Sequence, residues 1–270
     1  MAITASLVKT LRDKTGVGMM ECKKALESSN GDIELAIKEL REKGLSKAAK
    51  KSDRSTKEGR IITAINDSTA VILEINCETD FVGSNENFIE LGRVIAKSIT
   101  ENNVETVDDV KQLTIDGSTV DELISDAVLK LGENIVIGQF KRLTTAGAFS
   151  DYEHTNGKIG VIVEFSGSID EESGKGIAMQ VAAMNPPYIS SDQVPQSDLD
   201  SEAEIMRNQA LSEGKPEQVV DKIVQGRLSK FYKENCLVDQ VYVKDQDKQI
   251  KDLLSEGTTI LSVERFSLAG

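Results

Sequence analysis

The feature that most limits what this chain can fold into is a change of hydrophobic period at Gly59. Before it, apolar residues recur with helical spacing; after it, segments rich in Ile and Val carry the signature of strands. Residues 3–43 predict three short helices. In the first, Ile3, Leu7, Val8 and Leu11 share one face, and Gly16 and Gly18 break the pattern. The second runs from about Met19 to Ser28 and stops at Asn30-Gly31, residues suited to a left-handed helix end. Asp32 can cap the third, where Ile33, Ala36, Ile37 and Leu40 form the apolar face and Gly44 ends the helix. A unit this small has a thin core and is marginal alone, so it is expected to bind something.

Residues 45–59, LSKAAKKSDRSTKEG, are polar and basic with no apolar period and read as a solvated tether. No aromatic is interleaved that could stack on bases, as a nucleic-acid arm would need. Beyond it, Arg60–Asn66 and Thr69–Cys77 flank Asp67-Ser68 as a hairpin. Asn85–Thr100 then reads as a helix with Phe88, Leu91, Ile95 and Ile99 on one face. Val120–Leu131 predicts another helix and Glu133–Thr144 a strand. A second hairpin turns at Asn156-Gly157, the pair that a type I′ turn prefers, and leads into Lys158–Phe165. A helix over about Gly176–Met184 follows, closed by Pro186-Pro187. Hairpin plus helix thus occurs twice, which predicts an α+β core of two related subdomains. Residues 197–233 read instead as two helices joined at Gly214-Lys215-Pro216. Strand-like sequence resumes at Val238–Val243 and Thr258–Phe266, so this helical hairpin is an insertion.

The expected organisation is therefore a helical module at 1–44, a basic linker at 45–58, core subdomain 1 at 59–144, core subdomain 2 at 145–196 and 234–270, and the inserted hairpin at 197–233. Charge follows the same divide. Residues 1–60 carry 14 Lys and Arg against 9 Asp and Glu, whereas residues 61–270 carry 18 against 36. The overall net charge of −13 disfavours general nucleic-acid binding, and the split suggests that the N-terminal module faces a partner of its own. No apolar run approaches the roughly 20 residues of a membrane span, and the start lacks a signal-peptide pattern. Three cysteines far apart fit a reducing compartment, so a cytoplasmic or organelle-matrix location is expected.

A catalytic site is hard to assemble. His154 is the only histidine, and no two of Cys22, Cys77, Cys236 and His154 lie at the short spacing of a zinc site. A Cys77–His154 nucleophile pair is not excluded by spacing; surface histidine and buried thiols are the plainer reading. Gly167–Lys175 imitates a phosphate loop but has six residues between its glycines, three of them acidic, and Gly176 where Ser or Thr belongs. No metal, cofactor or catalytic residue is expected. The anomaly is Glu74–Val82, EINCETDFV. A strand ends at Cys77, and Phe81, one of seven Phe, falls in the turn before the next helix. It either tucks into the core or projects as an anchor for a partner's pocket with Asp80 beside it.

Two segments make the chain similar to the elongation factor Ts family. One is Leu11–Leu26, LRDKTGVGMMECKKAL; the other is EINCETDFV. The order of linker, two-part core and hairpin with Gly-Lys-Pro at its tip agrees, so the resemblance covers essentially the whole chain. It implies a UBA-like N-terminal module that docks on the GTPase elongation factor Tu through Arg12, Met19 and Met20. It implies that the loop Thr79, Asp80, Phe81 and Val82 enters near the nucleotide and dislodges Mg²⁺ and phosphate contacts, so that GDP leaves and GTP reloads. His154, near the second hairpin, is implied to touch a distal domain of the GTPase. The resemblance implies no catalysis; members differ in whether the core dimerises, and a homodimer through the core or the helical hairpin is among the expectations. Longer members carry a further C-terminal helical module. This chain stops at Phe266–Gly270, soon after the last core strand, so that module is expected to be missing.

Overall fold

A computed structural model describes residues 3–268, and the chain is α+β as its periodicities predict. The predicted ends at residues 1–2 and 269–270 lie outside the described residues. The N-terminal helices are α1 (Ala5–Thr15), α2 (Met19–Ser28) and α3 (Ile33–Lys51). Thr4 caps α1 by accepting the Leu7 amide at 3.2 Å, and Asp32 caps α3 through the Leu35 amide at 3.0 Å. Asn30 and Gly31, both at positive φ, close α2 as expected. The module buries Val8, Leu11, Cys22, Ala25, Leu26, Ala36 and Leu40, and Leu129 from a later helix completes that core.

The chain departs from expectation at Gly44. It does not end α3, which continues to Lys51 through about the first half of the stretch read as a tether. A Cβ at Gly44 would lie 3.2 Å from the Ser125 carbonyl oxygen, so this glycine serves a close helix–helix approach and not a helix stop. Ala48 then packs against the neighbouring core.

That core is built on β1 (Glu58–Asn66), β2 (Thr69–Cys77) and β5 (Val136–Thr144), in the order β1-β2-β5. β1 and β2 pair antiparallel around Asp67-Ser68, with Asp67 at φ 47°. Between β2 and β5 come α4 (Asp80–Gly83), α5 (Glu86–Glu101), α6 (Val107–Gln112), the two-residue pair β3 (Thr114–Ile115) and β4 (Ser118–Thr119), and α7 (Val120–Leu131). Val71, Leu73, Ile75 and Cys77 alternate along β2 and face Phe88, Ile95 and Ile99 of α5. α6 escaped the periodicity because six residues make less than two turns; its capping box of Thr106 and Asp109 was the legible sign.

The remaining strands β6 (Ala148–Glu153), β7 (Ile159–Phe165) and β10 (Ile260–Ser267) form a sheet in the order β10-β7-β6. The second hairpin turn is wider than Asn156-Gly157 implies. The His154 amide donates to the Ile159 carbonyl at 2.9 Å, and of the predicted turn pair Gly157 alone is left-handed. α8 (Glu171–Met184) begins within the segment that imitates a phosphate loop: Asp170 is its cap, accepting the Ser173 amide at 2.9 Å, and Glu171 and Glu172 fill its first turn. α9 (Gln196–Ser212) and α10 (Glu217–Asn235) form the helical hairpin, where Arg227 pairs with Glu213 at 3.0 Å. In place of one strand over Val238–Val243, the chain makes a 3₁₀ turn and the short pair β8 (Val241–Tyr242) and β9 (Asp245–Gln249). Buried Gln180 holds that stretch, donating to Gln240 at 3.0 Å and accepting the Val243 amide at 2.9 Å. Among the described residues no helix is long and apolar enough to cross a membrane.

Two compact units result. The first comprises the chain to Leu143, with Glu153–Gly160 and the C-terminal stretch from Phe266; the second comprises Thr144–Tyr152 and Val161–Arg265. The second hairpin turn therefore belongs with the first unit, and the helical module does too.

Candidate functional site

β2 ends at Cys77, and Thr79 is still extended (φ −128°, ψ 157°) before α4 makes a single helical turn. Thr79 starts that turn: its hydroxyl accepts the Val82 amide at 3.4 Å, and its carbonyl accepts the Gly83 amide at 3.1 Å. Val82 is buried in the core beneath, at 9% exposure. Successive residues on a helix point about 100° apart, so an inward Val82 sends Phe81 outward. Phe81 is 83% exposed, and Asp80 beside it is exposed as well. Of the two readings of Phe81, the one in which it tucks into the core is not what the fold adopts: the side chain projects. A large aromatic held in water costs the free chain the burial it forgoes, about 1.5–3 kcal/mol for a side chain of this size.

The turn is braced from the connection between α7 and β5. Glu133 accepts the Glu78 amide at 3.1 Å, the Thr79 amide at 3.0 Å and the Thr79 hydroxyl at 2.6 Å. In return Glu78 accepts the Asn134 amide at 2.7 Å and pairs with Arg54 at 3.4 Å. Those partners, the Asn134 amide first, hold the Glu78 carboxyl below its usual range. Lys158, from the second hairpin turn, reaches the same neighbourhood. It is 2.9 Å from Glu58, and the hydrogen bond to Glu58, followed by the charges of Glu58 and Asp80, raises its pKa. Glu133 and Lys158 were not found by sequence reasoning. Glu133 falls at a predicted strand start and Lys158 beside a turn, and nothing in their spacing connects them with Thr79 or Asp80.

Cys77 lies directly below the turn and donates to the Thr79 carbonyl at 3.1 Å. Burial, reinforced by the charge of Glu133, pushes its pKa up to about 12. A thiol so reluctant to ionise is a poor nucleophile. The described residues contain no group of three or more His, Cys, Asp or Glu able to hold a metal ion.

The other sequence-predicted residues fall in the same compact unit. Arg12 is exposed in the last turn of α1, and Met19 and Met20 open α2 at 42% and 65% exposure. α2 buries Cys22, Ala25 and Leu26, which leaves Met20 on the opposite side of the helix. Unbranched thioether side chains in water form an adaptable apolar surface. His154 is half-buried and its backbone shapes the second hairpin turn, accepting the Gly157 amide at 2.7 Å.

The family model described as Elongation factor TS matches residues 78–269, well over half of the chain. The match begins at Glu78, so it takes in the braced turn, Glu133, the second hairpin and the helical hairpin.

Proposed function

The chain belongs to the elongation factor Ts family, and from that premise we propose that its braced turn dislodges the Mg²⁺ and phosphate contacts of a bound GTPase. The family promotes nucleotide exchange on elongation factor Tu during translation elongation. The observation that carries the residue-level reading is the 83% exposure of Phe81 on a turn tied down on both sides. In this reading the N-terminal module docks first, with Arg12, Met19 and Met20 against the nucleotide-binding domain. Phe81 then fills a pocket that exists only when the elements holding Mg²⁺ have moved, and Asp80 adds charge at that point. Val82 and Thr79 serve as the footing. His154 makes a second, outlying contact from the hairpin turn.

The physics needs no acid or base. GDP is held by Mg²⁺ and by backbone N–H groups around its phosphates. A protein that prefers the GTPase with those contacts broken weakens GDP by the same factor by which GDP weakens the protein. A part in translation elongation supports a cytoplasmic location, and three buried cysteines that form no disulfide are in keeping with it.

The test is a comparison of affinities alongside rates. The chain should bind nucleotide-free elongation factor Tu more tightly than the GDP form, and should accelerate release of fluorescent GDP. Equal affinities, or binding without acceleration, would mark it as an adaptor and overturn the exchange reading.

A further inference from the structure

We propose that Glu133 is a positioning residue for the exchange turn: its carboxylate, bridging the Glu78 and Thr79 amides and the Thr79 hydroxyl, sets the direction in which Asp80 and Phe81 project. The proposal rests on the exchange reading above and assigns a part in it to a residue outside the turn.

The β1–β2 ladder ends at the pair Glu58 and Cys77. The amides of Glu78 and Thr79 therefore lie beyond the sheet, and one carboxylate takes both, at 3.1 and 3.0 Å. Bonds from backbone amides to an ionised acceptor are roughly twice as strong as neutral ones. The third bond, from the Thr79 hydroxyl at 2.6 Å, orients that oxygen. With its proton turned to Glu133, its lone pairs are left for the Val82 amide that opens α4. The heading of the helical turn thus passes from Glu133 through Thr79 to the residue next to Phe81.

Glu133 is itself well held. Gly132, left-handed at φ 82°, closes α7 with its amide on the Val128 carbonyl at 3.0 Å, and buried Asn134 and Ile135 follow. The Asn134 side chain donates to the Arg54 carbonyl at 3.0 Å while its amide is taken by Glu78. Two carboxylates therefore cross between the end of β2 and the connection into β5, Glu133 taking the Glu78 and Thr79 amides and Glu78 taking the Asn134 amide. An anchor fixed this way in the free chain spends little of the partner's binding energy on its own ordering.

A residue that merely stabilised the fold would lower the melting temperature and leave exchange by the folded fraction intact. A positioning residue changes the rate reached at saturation. Glu133→Gln keeps the size, removes the charge and leaves a single acceptor oxygen, so its NH₂ group cannot accept from the donors that face the other. It should slow GDP release at saturating factor about tenfold while half-saturation shifts by no more than about twofold. The chain contains no Trp, so Phe81→Trp places one indole at the tip. Adding Glu133→Gln to the free Phe81→Trp chain should lower the indole's fluorescence anisotropy well below the melting transition. Should Glu133→Gln fail to fold, Thr79→Val removes one of the three bonds together with the cap on the Val82 amide, and carries the same expectation.

Phe81→Ala separates the two readings. If Phe81→Ala slows release and the variants at Glu133 and Thr79 do not, or if the indole stays as immobile as before, the role of Glu133 is overturned and the exchange turn stands. If Phe81→Ala also leaves release unchanged, the exchange reading itself falls.

Discussion

Phe81 is 83% exposed while Val82, the next residue in the chain, is 9% exposed and packed into the core. In the proposed reading the contrast puts function and stability on adjacent side chains. Phe81→Ala should therefore slow stimulated GDP release about tenfold or more, as expected for an aromatic anchor at the centre of an interface. The melting temperature should stay unchanged, because nothing buried is lost. Stopped-flow release of fluorescent GDP together with a thermal melt would check both halves, and a lowered melting temperature would contradict the outward placement.

Met20 offers the corresponding test for the N-terminal module. At 65% exposure it contributes little to the packing of α2. Met20→Ser should weaken the complex with elongation factor Tu by about 1–2 kcal/mol, read as a five- to thirty-fold rise in Kd, with folding unaffected. Calorimetric titration against the nucleotide-free GTPase measures this directly, and an unchanged Kd removes Met20 from the docking surface.

Glu78 links the brace to pH. Its carboxyl is held below its ordinary value of 4.5 by the Asn134 amide first and by Arg54 as well. A carboxylate with a lowered folded pKa contributes stability that is fully present above the unfolded value and is lost as the pH falls through the folded one. The stability gap between the parent chain and Glu78→Gln should accordingly be constant from neutral pH down to about 5 and should narrow below 4.5. Urea unfolding at a series of pH values provides the curve. A gap that persisted undiminished into strong acid would exclude the carboxylate as its cause.

Gly44 tests the reading of α3 as a packed helix. A Cβ there would sit 3.2 Å from the Ser125 carbonyl, a backbone atom of α7 with little room to yield. Gly44→Val should destabilise the chain by about 1–3 kcal/mol through overpacking, despite the better helix propensity of valine over glycine. If residues 45–58 were a free tether beyond a helix stop, the same change would be neutral in a thermal melt.

Much of this architecture was legible from period alone. The module helices, the first hairpin at Asp67-Ser68, α5, α7 and the Gly-Lys-Pro hairpin rest on local patterns that tertiary contacts did not override. The Thr-Asp-Phe-Val segment was visible as an oddity because its aromatic falls between a strand and a helix, and its resemblance to a known family gave it a role. Local reasoning failed where one residue has two uses. Gly44 could end a helix or admit a neighbour, and the choice depended on Ser125, far away in the sequence. Val238–Val243 has strand-forming residues, yet buried Gln180 draws that backbone into a different path.

The sequence by itself determined the α+β class, the helical module and the position of the turn that begins at Thr79, since periodicity and capping residues act over a few positions. Only the tertiary structure decided that Phe81 points into solvent, that Glu133 takes the Glu78 and Thr79 amides while Glu78 takes the Asn134 amide, and that Lys158 from a distant hairpin shares the neighbourhood of Asp80. The reason is reach. A helical turn is specified by neighbours in the chain, whereas the direction in which it points is set by hydrogen bonds to residues that only the completed fold brings within about 3 Å.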